Sequence, residues 1–366
     1  MTDTVNDLVN DLVNDLVNLD DYETRARQVL DPAAYDYIAG GADAEVSLGL
    51  PRRALDAIRL RPRVMTDITT CDLSTTVLGH PVPAPILVAP SGDHGVAHTD
   101  GELATARGAA DTGTLMVVSS GSTYPLEEIA AAAPGPRWMH LPLLRDRALA
   151  VELLRRAERS GYSAICLTVD HKVMAKRERN IRNRWSTPPS PNFPDAAVPR
   201  AEWDVSGAAM RKRFDGLLDR SATWPYVSWL AEQTSLPVVV KGVLAGADAA
   251  LAVASGAAAV IVSDHGGRQL DTAVPPIEAL PEVVAAVGDR AEVYVDGGFR
   301  RGTDVLKALA LGARAVLIGR PVLWGLAVDG AAGVSAVLLM LRDELETAMA
   351  MCGAAGVAGV TKELVR

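Results

Sequence analysis

Residues 263–271 are Ser263-Asp264-His265-Gly266-Gly267-Arg268-Gln269-Leu270-Asp271, which places acid, base and cation within a few positions of one another. An imidazole exchanges a proton near neutral pH, and a guanidinium fork grips a carboxylate at two points. The two glycines after His265 permit a sharp turn and let the backbone approach a flat ligand. The apolar, β-branched run before it, Ala257 to Val262, is too short for a helix and predicts a buried strand. On its own the nonapeptide fits proton transfer beside an anion clamp, or equally a solvated turn after a core strand.

A turn of this kind needs a scaffold, and the chain becomes regular from Pro83 onward. Apolar β-type runs at Pro85–Ala89, Leu115–Ser119, Arg137–Leu141, Ala164–Asp170, Pro237–Lys241, Ala258–Asp264, Glu292–Asp296 and Ala315–Ile318 alternate with alanine-rich helical stretches. Eight strands separated by helices predict an α/β fold of the (β/α)8, or TIM, barrel type, whose chemistry sits at the C-terminal strand ends. A doubly wound open sheet is the alternative, but no Gly-x-Gly-x-x-Gly fingerprint follows the first strand. The longest interruption, Lys172 to Thr223, contains Pro188-Pro189-Ser190-Pro191 and is expected to close over the site as a lid.

Before the barrel, Val-Asn-Asp-Leu repeats in tandem from Val5 to Asn18. Period four drifts only about 40° per repeat on a helix, so the Leu and Val pairs could form one apolar stripe. So short a helix is marginal without a partner. Residues 1–20 are therefore expected to be a low-complexity extension, with docking to a neighbouring subunit as the alternative, and 21–366 a single domain. Leu19 to Gly41 predicts a helix with Asp20 or Asp21 near its start and stopped by Gly40-Gly41, and Arg52 to Gly79 an irregular stretch.

Composition sets the bounds. The 366 residues are 49% hydrophobic, enough for a large core, and a net charge of −9 without a Lys/Arg block argues against a nucleic-acid surface or a polybasic membrane anchor. Cys71, Cys166 and Cys352 are odd in number and far apart, which supports neither a disulfide framework nor a metal site. Cys166, in an apolar run, is expected in the core. With no signal peptide or bilayer-length apolar stretch, the expectation is a soluble cytoplasmic protein.

In chain order, the strand ends carry Pro90-Ser91-Gly92, Ser119-Ser120-Gly121, His140-Leu141-Pro142, Thr168-Val169-Asp170, Lys241-Gly242, Ser263-Asp264-His265, Asp296-Gly297-Gly298 and Gly319-Arg320. Small hydroxyls and glycines suit a planar ligand. Arg300 and Arg320 fall where barrels commonly bind phosphate. Lys241 ends an apolar strand and must be paired or aimed at an electron-rich ligand, and Asp170 could orient a histidine. Together they describe a phosphate-bearing, ring-shaped, electron-accepting cofactor facing a histidine base.

These residues resemble the FMN-dependent 2-hydroxy acid oxidases and dehydrogenases: glycolate oxidase, lactate oxidase, mandelate dehydrogenase and hydroxymandelate oxidase. The resemblance runs from about Tyr22 to about Cys352. Its specific pieces are the 263–271 nonapeptide, Asp296-Gly-Gly-Phe-Arg-Arg-Gly-Thr-Asp304, Leu236-Pro-Val-Val-Val-Lys-Gly242, Thr168-Val-Asp170 and Tyr35-Asp-Tyr37. It implies FMN as cofactor and oxidation of a 2-hydroxy acid to a 2-oxo acid, with hydride passing from Cα to flavin N5. His265 would be the base, Asp170 its partner, and Arg268, Tyr37 and Arg177 the carboxylate clamp. Lys241 would stand by the flavin N1–C2 carbonyl edge, where charge grows on reduction. Pro90, Ser91, Gly92, Ser119, His140, Thr168 and Ser263 would line the ring or ribityl chain, and Asp296, Gly298, Arg300, Gly319 and Arg320 the ribityl–phosphate end. A small carboxylic acid, oxygen or another electron acceptor, and a homo-oligomer, with the tetramer a form the family often takes, are the implied partners.

The departures cluster around flavin and substrate. The family's Gln-Leu-Tyr at the third strand end is His140-Leu141-Pro142, which removes a phenol and brings an imidazole that would favour reduced flavin if protonated. Asp264 replaces an asparagine; its carboxylate would raise the basicity of His265 and repel an anion. Gly121 opens space where a bulky aromatic is usual, and Gly92-Asp93-His94 replaces a more apolar run. Two readings follow: oxidation of a larger or more polar 2-hydroxy acid, or a changed reaction in the same flavin site, such as oxidation or oxidative decarboxylation of a substituted acid in a biosynthetic pathway. A flavin-free, phosphate-binding barrel is the reading from another class.

Overall fold

The computed structural model describes residues 15–186, 190–193 and 215–366. Eight short strands, β3 (Ile86–Val88), β4 (Met116–Ser119), β5 (Arg137–Pro142), β6 (Ala164–Thr168), β7 (Val238–Val243), β8 (Ala259–Val262), β9 (Glu292–Asp296) and β10 (Ala315–Ile318), pair in sequence order, and β10 returns to β3 to close a barrel. Every pairing is parallel. All eight coincide with the strands expected from the apolar runs to within two residues at each end.

The side-chain period of two sorts each strand. Met116 and Val118 face the helical layer, whereas Leu115 and Val117 fill the barrel with Leu87, Trp138, Cys166, Val239, Ile261, Tyr294 and Leu317. Cys166 is fully buried in that interior, and burial pushes its thiol up to about 12. A hairpin, β1 (Thr75–Val77) and β2 (His80–Val82), turns through Leu78 and Gly79 at φ 46° and 81°, and packs Val77 and Val82 against the barrel interior. β1 falls inside the stretch expected to be irregular and β2 directly after it; both are too short to leave a periodic signal.

The wrapping helices are α4 (Gly101–Asp111), α5 (Leu126–Ala132), α6 (Arg147–Arg159), α8 (Pro225–Glu232), α9 (Gly246–Ala254), α10 (Pro276–Val287), α11 (Gly302–Ala310) and α12 (Arg320–Met351), with short α7 (Glu178–Arg182) in the segment after β6. Ahead of the barrel, the expected single helix over Leu19–Gly41 is two: α1 (Leu19–Val29), capped by Asn18 with Asp20 and Asp21 in its first turn, and α2 (Pro32–Ala39), capped by Asp31. Pro32 cannot continue α1 but suits a helix start. Leu19 and Tyr22 are buried, so the core already takes in α1. A third helix, α3 (Val46–Ala57), occupies part of the stretch read as irregular, and Arg52 bonds both carboxylate oxygens of Asp304 in α11. The tandem repeat lies outside the described residues up to Asn14, as do Pro188, Pro189 and 194–214 of the expected lid.

Among the described residues α12 is long and apolar enough to cross a membrane by composition, but half of its most apolar window is buried. It packs on α1 and α4 and breaks at Asp329 and Gly330, so that its two parts fold against each other. A Cβ on Gly333 would stand 2.0 Å from the Gly325 carbonyl oxygen, and one on Gly108 of α4 would stand 2.5 Å from that of Ala331.

Candidate active site

The barrel's alternation determines what faces its C-terminal mouth. Two residues beyond each interior apolar side chain the same face is presented again. That step leads from Leu87 to Ala89, Val117 to Ser119, Trp138 to His140, Cys166 to Thr168, Val239 to Lys241, Ile261 to Ser263, Tyr294 to Asp296 and Leu317 to Gly319. All but Ser263 line one cavity of about 280 Å³. The rest of its wall includes Tyr37 from α2, the loops after β3 and β4, Arg177 and Trp185 from the segment after β6, His265, Arg268, Arg300 and Arg320.

At the centre is His265, a non-glycine residue with φ 60°. Its backbone is held locally: its N–H donates to Ser263 Oγ at 3.0 Å, and Gly266 N–H donates to Asp264 Oδ1 at 2.9 Å. Its ring Nδ1 lies 3.0 Å from Asp170 Oδ1, which fixes the ring and leaves the other nitrogen to the cavity side. Burial alone would raise the Asp170 carboxyl, but the paired imidazole together with Lys241 and His171 holds it below its usual range. Space for Asp170 comes from Gly242 at φ 103°, where a Cβ would fall 2.4 Å from the carboxylate carbon.

Lys241 is buried and bridges Asp296 Oδ2 at 3.0 Å and Ser263 Oγ at 2.7 Å. Burial would strip its charge, but Asp296 and then Asp170 raise its pKa above the usual lysine value. A fixed cation therefore stands on the cavity wall.

The anion clamp is built on Tyr37. Arg268 Nη1 donates to the carbonyls of Tyr37 at 2.9 Å and Gly40 at 2.8 Å, and its guanidinium lies 5.3 Å from the Tyr37 ring centre. That ring stacks on Trp185 at 5.2 Å, and its hydroxyl donates to Asp93 Oδ2 at 2.9 Å. Arg177 is lowered to about 9, first by burial and then by the nearby charge of Arg268. Arg320 is lowered to about 9 for the same two reasons and donates to the carbonyls of Ile38, Gly40 and Gly266. Arg300 packs over Trp324 at 4.6 Å.

Several cavity-lining groups fit a planar cofactor with donors and acceptors at its edge. Thr168 Oγ1, His140 Nδ1, Asp296 Oδ1 and Arg177 Nε are buried without a hydrogen-bond partner among the described residues, a costly state unless a ligand supplies one. Glycines at 92, 121, 298 and 319 keep the wall low between them. Lys241 would meet growing negative charge on a ring, and Arg300 and Arg320 a phosphate.

Two expectations are corrected. Ser263 does not line the cavity; its hydroxyl is taken by Lys241 and the His265 N–H. Asp264 likewise is not on the cavity wall: its Oδ1 accepts from the Gly266 N–H, and burial, then Asp296, pushes its carboxyl up to about 6. For His140, whose effect on the flavin was tied to its protonation, burial, followed by His265 and Lys241, lowers the imidazole to about 3. Residues not singled out also line the cavity. His171 packs edge-on to His265 at 5.7 Å, and Trp185 backs Tyr37. The signal for His171 was its place directly after Asp170; Trp185 had none, because only the fold brings it to Tyr37.

Fold and site together define a barrel oxidoreductase with a paired histidine, a buried lysine and an arginine-rich clamp. A sequence model described as FMN-dependent dehydrogenase matches residues 26–366. L-lactate oxidase of Nostoc sp. is 47% identical over 346 residues, covering 92% of this chain and 94% of that protein. Glycolate oxidase of Spinacia oleracea is 46% identical over 339 residues, covering 92% of each. A solved structure of mandelate oxidase with (S)-4-hydroxymandelic acid superposes with a TM-score of 0.90 at 42% identity, covering 96% of this chain and 98% of that one. The chain belongs to the FMN-dependent dehydrogenase family, with FMN as its cofactor.

Proposed function

We propose that the protein oxidises a 2-hydroxy acid or its amide to the corresponding 2-oxo product. The observation that carries this is the 3.0 Å pairing of His265 with Asp170, which aims an oriented imidazole into a cavity walled by Lys241 and the clamp arginines. Bound FMN supplies the two-electron acceptor. His265 takes the proton of the substrate hydroxyl on its cavity-side nitrogen, while Asp170 stabilises the resulting imidazolium. Arg177 and Arg268 bind the substrate carbonyl end, so that the carbon bearing the hydroxyl stays beside His265. Lys241 holds a positive charge at the cofactor edge. Gly121 and Pro142 leave room for a side chain longer than a methyl.

Anaerobic mixing of the yellow enzyme with aliphatic and aromatic 2-hydroxy acids and their amides, followed by flavin absorbance, tests the proposal. Bleaching by at least one compound, with the 2-oxo product recovered, is the expected result. No bleaching by any of them would overturn it.

A further inference from the structure

The residues proposed to clamp a substrate carboxylate already face one. Asp93 lines the same cavity as Tyr37, Arg177 and Arg268. It accepts the Tyr37 hydroxyl proton at 2.9 Å, and its charge acts on both arginines. Its backbone is left-handed, φ 57° and ψ 43°, and its N–H donates to the Gly121 carbonyl at 3.1 Å, so the acid is set in place by the loop after β3.

We propose that Asp93 is a specificity determinant: an internal carboxylate in the anion clamp that disfavours free 2-hydroxy acids and favours neutral 2-hydroxy amides. The proposal rests on the oxidation reading above. A second carboxylate brought into the clamp meets like charge at short range, whereas an uncharged carbonyl accepts from the arginines without that repulsion. Tyr37 has one O–H and donates it to Asp93, so its oxygen can only accept from a ligand. An amide N–H meets that acceptor; a carboxylate oxygen does not.

The test measures binding of two redox-inert probes of nearly equal shape, pyruvate and pyruvamide, to the FMN-loaded enzyme by calorimetry. The Asp93→Asn variant keeps an acceptor for Tyr37 and tolerates the left-handed backbone; Asp93→Gly, equally suited to that backbone, controls for effects of the amide. In the wild type, pyruvamide binds at least as tightly as pyruvate. In both variants pyruvate tightens by about tenfold or more, the scale of removing one nearby like charge, and pyruvamide by less than about twofold. An unchanged or weaker pyruvate Kd, equal shifts for both probes, or no binding of either would overturn the proposal. Neither probe has a hydroxyl to oxidise, so the outcome stands apart from the bleaching experiment: an enzyme that bleaches with no compound fails the oxidation reading, whatever these constants show.

Discussion

His265 depends on two separable supports, its own turn and Asp170. Replacing it with alanine removes the proton acceptor and leaves the Lys241–Asp296 pair and the arginines in place. Turnover should fall by about 10²–10⁴-fold while FMN stays bound, as visible absorbance after gel filtration would show. Loss of colour would instead make His265 a holder of the cofactor. Asp264 gives a prediction with a sign. Its carboxyl ionises at about 6 in the folded protein against 3.8 for an ordinary aspartate. The native state therefore binds the proton more tightly, and stability falls as pH rises through that window, with the full cost, on the order of 2–3 kcal/mol, present above it. Asp264→Asn, which can still accept from Gly266, should raise Tm relative to wild type by an amount that grows from about pH 4 to about pH 6 and then levels. A difference independent of pH would show that Asp264 stays ionised throughout. None of this was legible in the residue itself. An aspartate beside a histidine suggests a charge partner, and only the burial and the turn geometry show that it caps a neighbouring amide.

At the scale of elements, legibility follows the strength of the repeating signal. The barrel strands announce themselves because both faces are buried, so each is a short continuous apolar run between helices. The hairpin and α3 do not: three-residue strands carry no period, and α3 starts from Glu45 at φ 62° and has Pro51 within it. The fold in α12 was equally silent, since a glycine-rich helix looks the same straight or broken. Its geometry makes a sharp prediction. Gly333→Ala would push a methyl into the Gly325 carbonyl and should cost about 1–3 kcal/mol as the two parts of α12 separate. Gly359→Ala meets nothing within 4 Å and should change stability by less than about 0.5 kcal/mol. Thermal unfolding of the two variants side by side decides it; equal Tm values would mean the α12 crossing yields without strain.

Over the whole molecule, charge is distributed against the average. The chain carries −9 net, yet Arg177, Lys241, Arg268, Arg300 and Arg320 all line one cavity. Burial lowers four of them, while Lys241 alone is raised by its acids. Such a cluster favours an anion and weakens the fold without one. Stripping FMN should lower Tm, and restoring it at about 100 times Kd should recover about 2.7 kcal/mol. Inorganic phosphate alone should recover part of that shift, whereas an apoprotein as stable as the holoprotein and indifferent to phosphate would mean the arginines do not serve the cofactor.

The turn at 263–271 also has a consequence for engineering. Ser263 fixes the amide of His265, Asp264 fixes that of Gly266, and Asp271 fixes that of Thr272 and, across the chain, Ser47. Most of the instructions for its shape are thus written inside the segment. The external requirements are an acid opposite the imidazole, a lysine behind Ser263, backbone carbonyls and amides for Arg268 and Asp271 to grip, and donors from Ala42 and Arg320 to the Gly267 and Gly266 carbonyls. A segment that carries much of its own folding rules is a portable cassette, and another parallel barrel supplying those anchors around its sixth strand is a natural recipient for it.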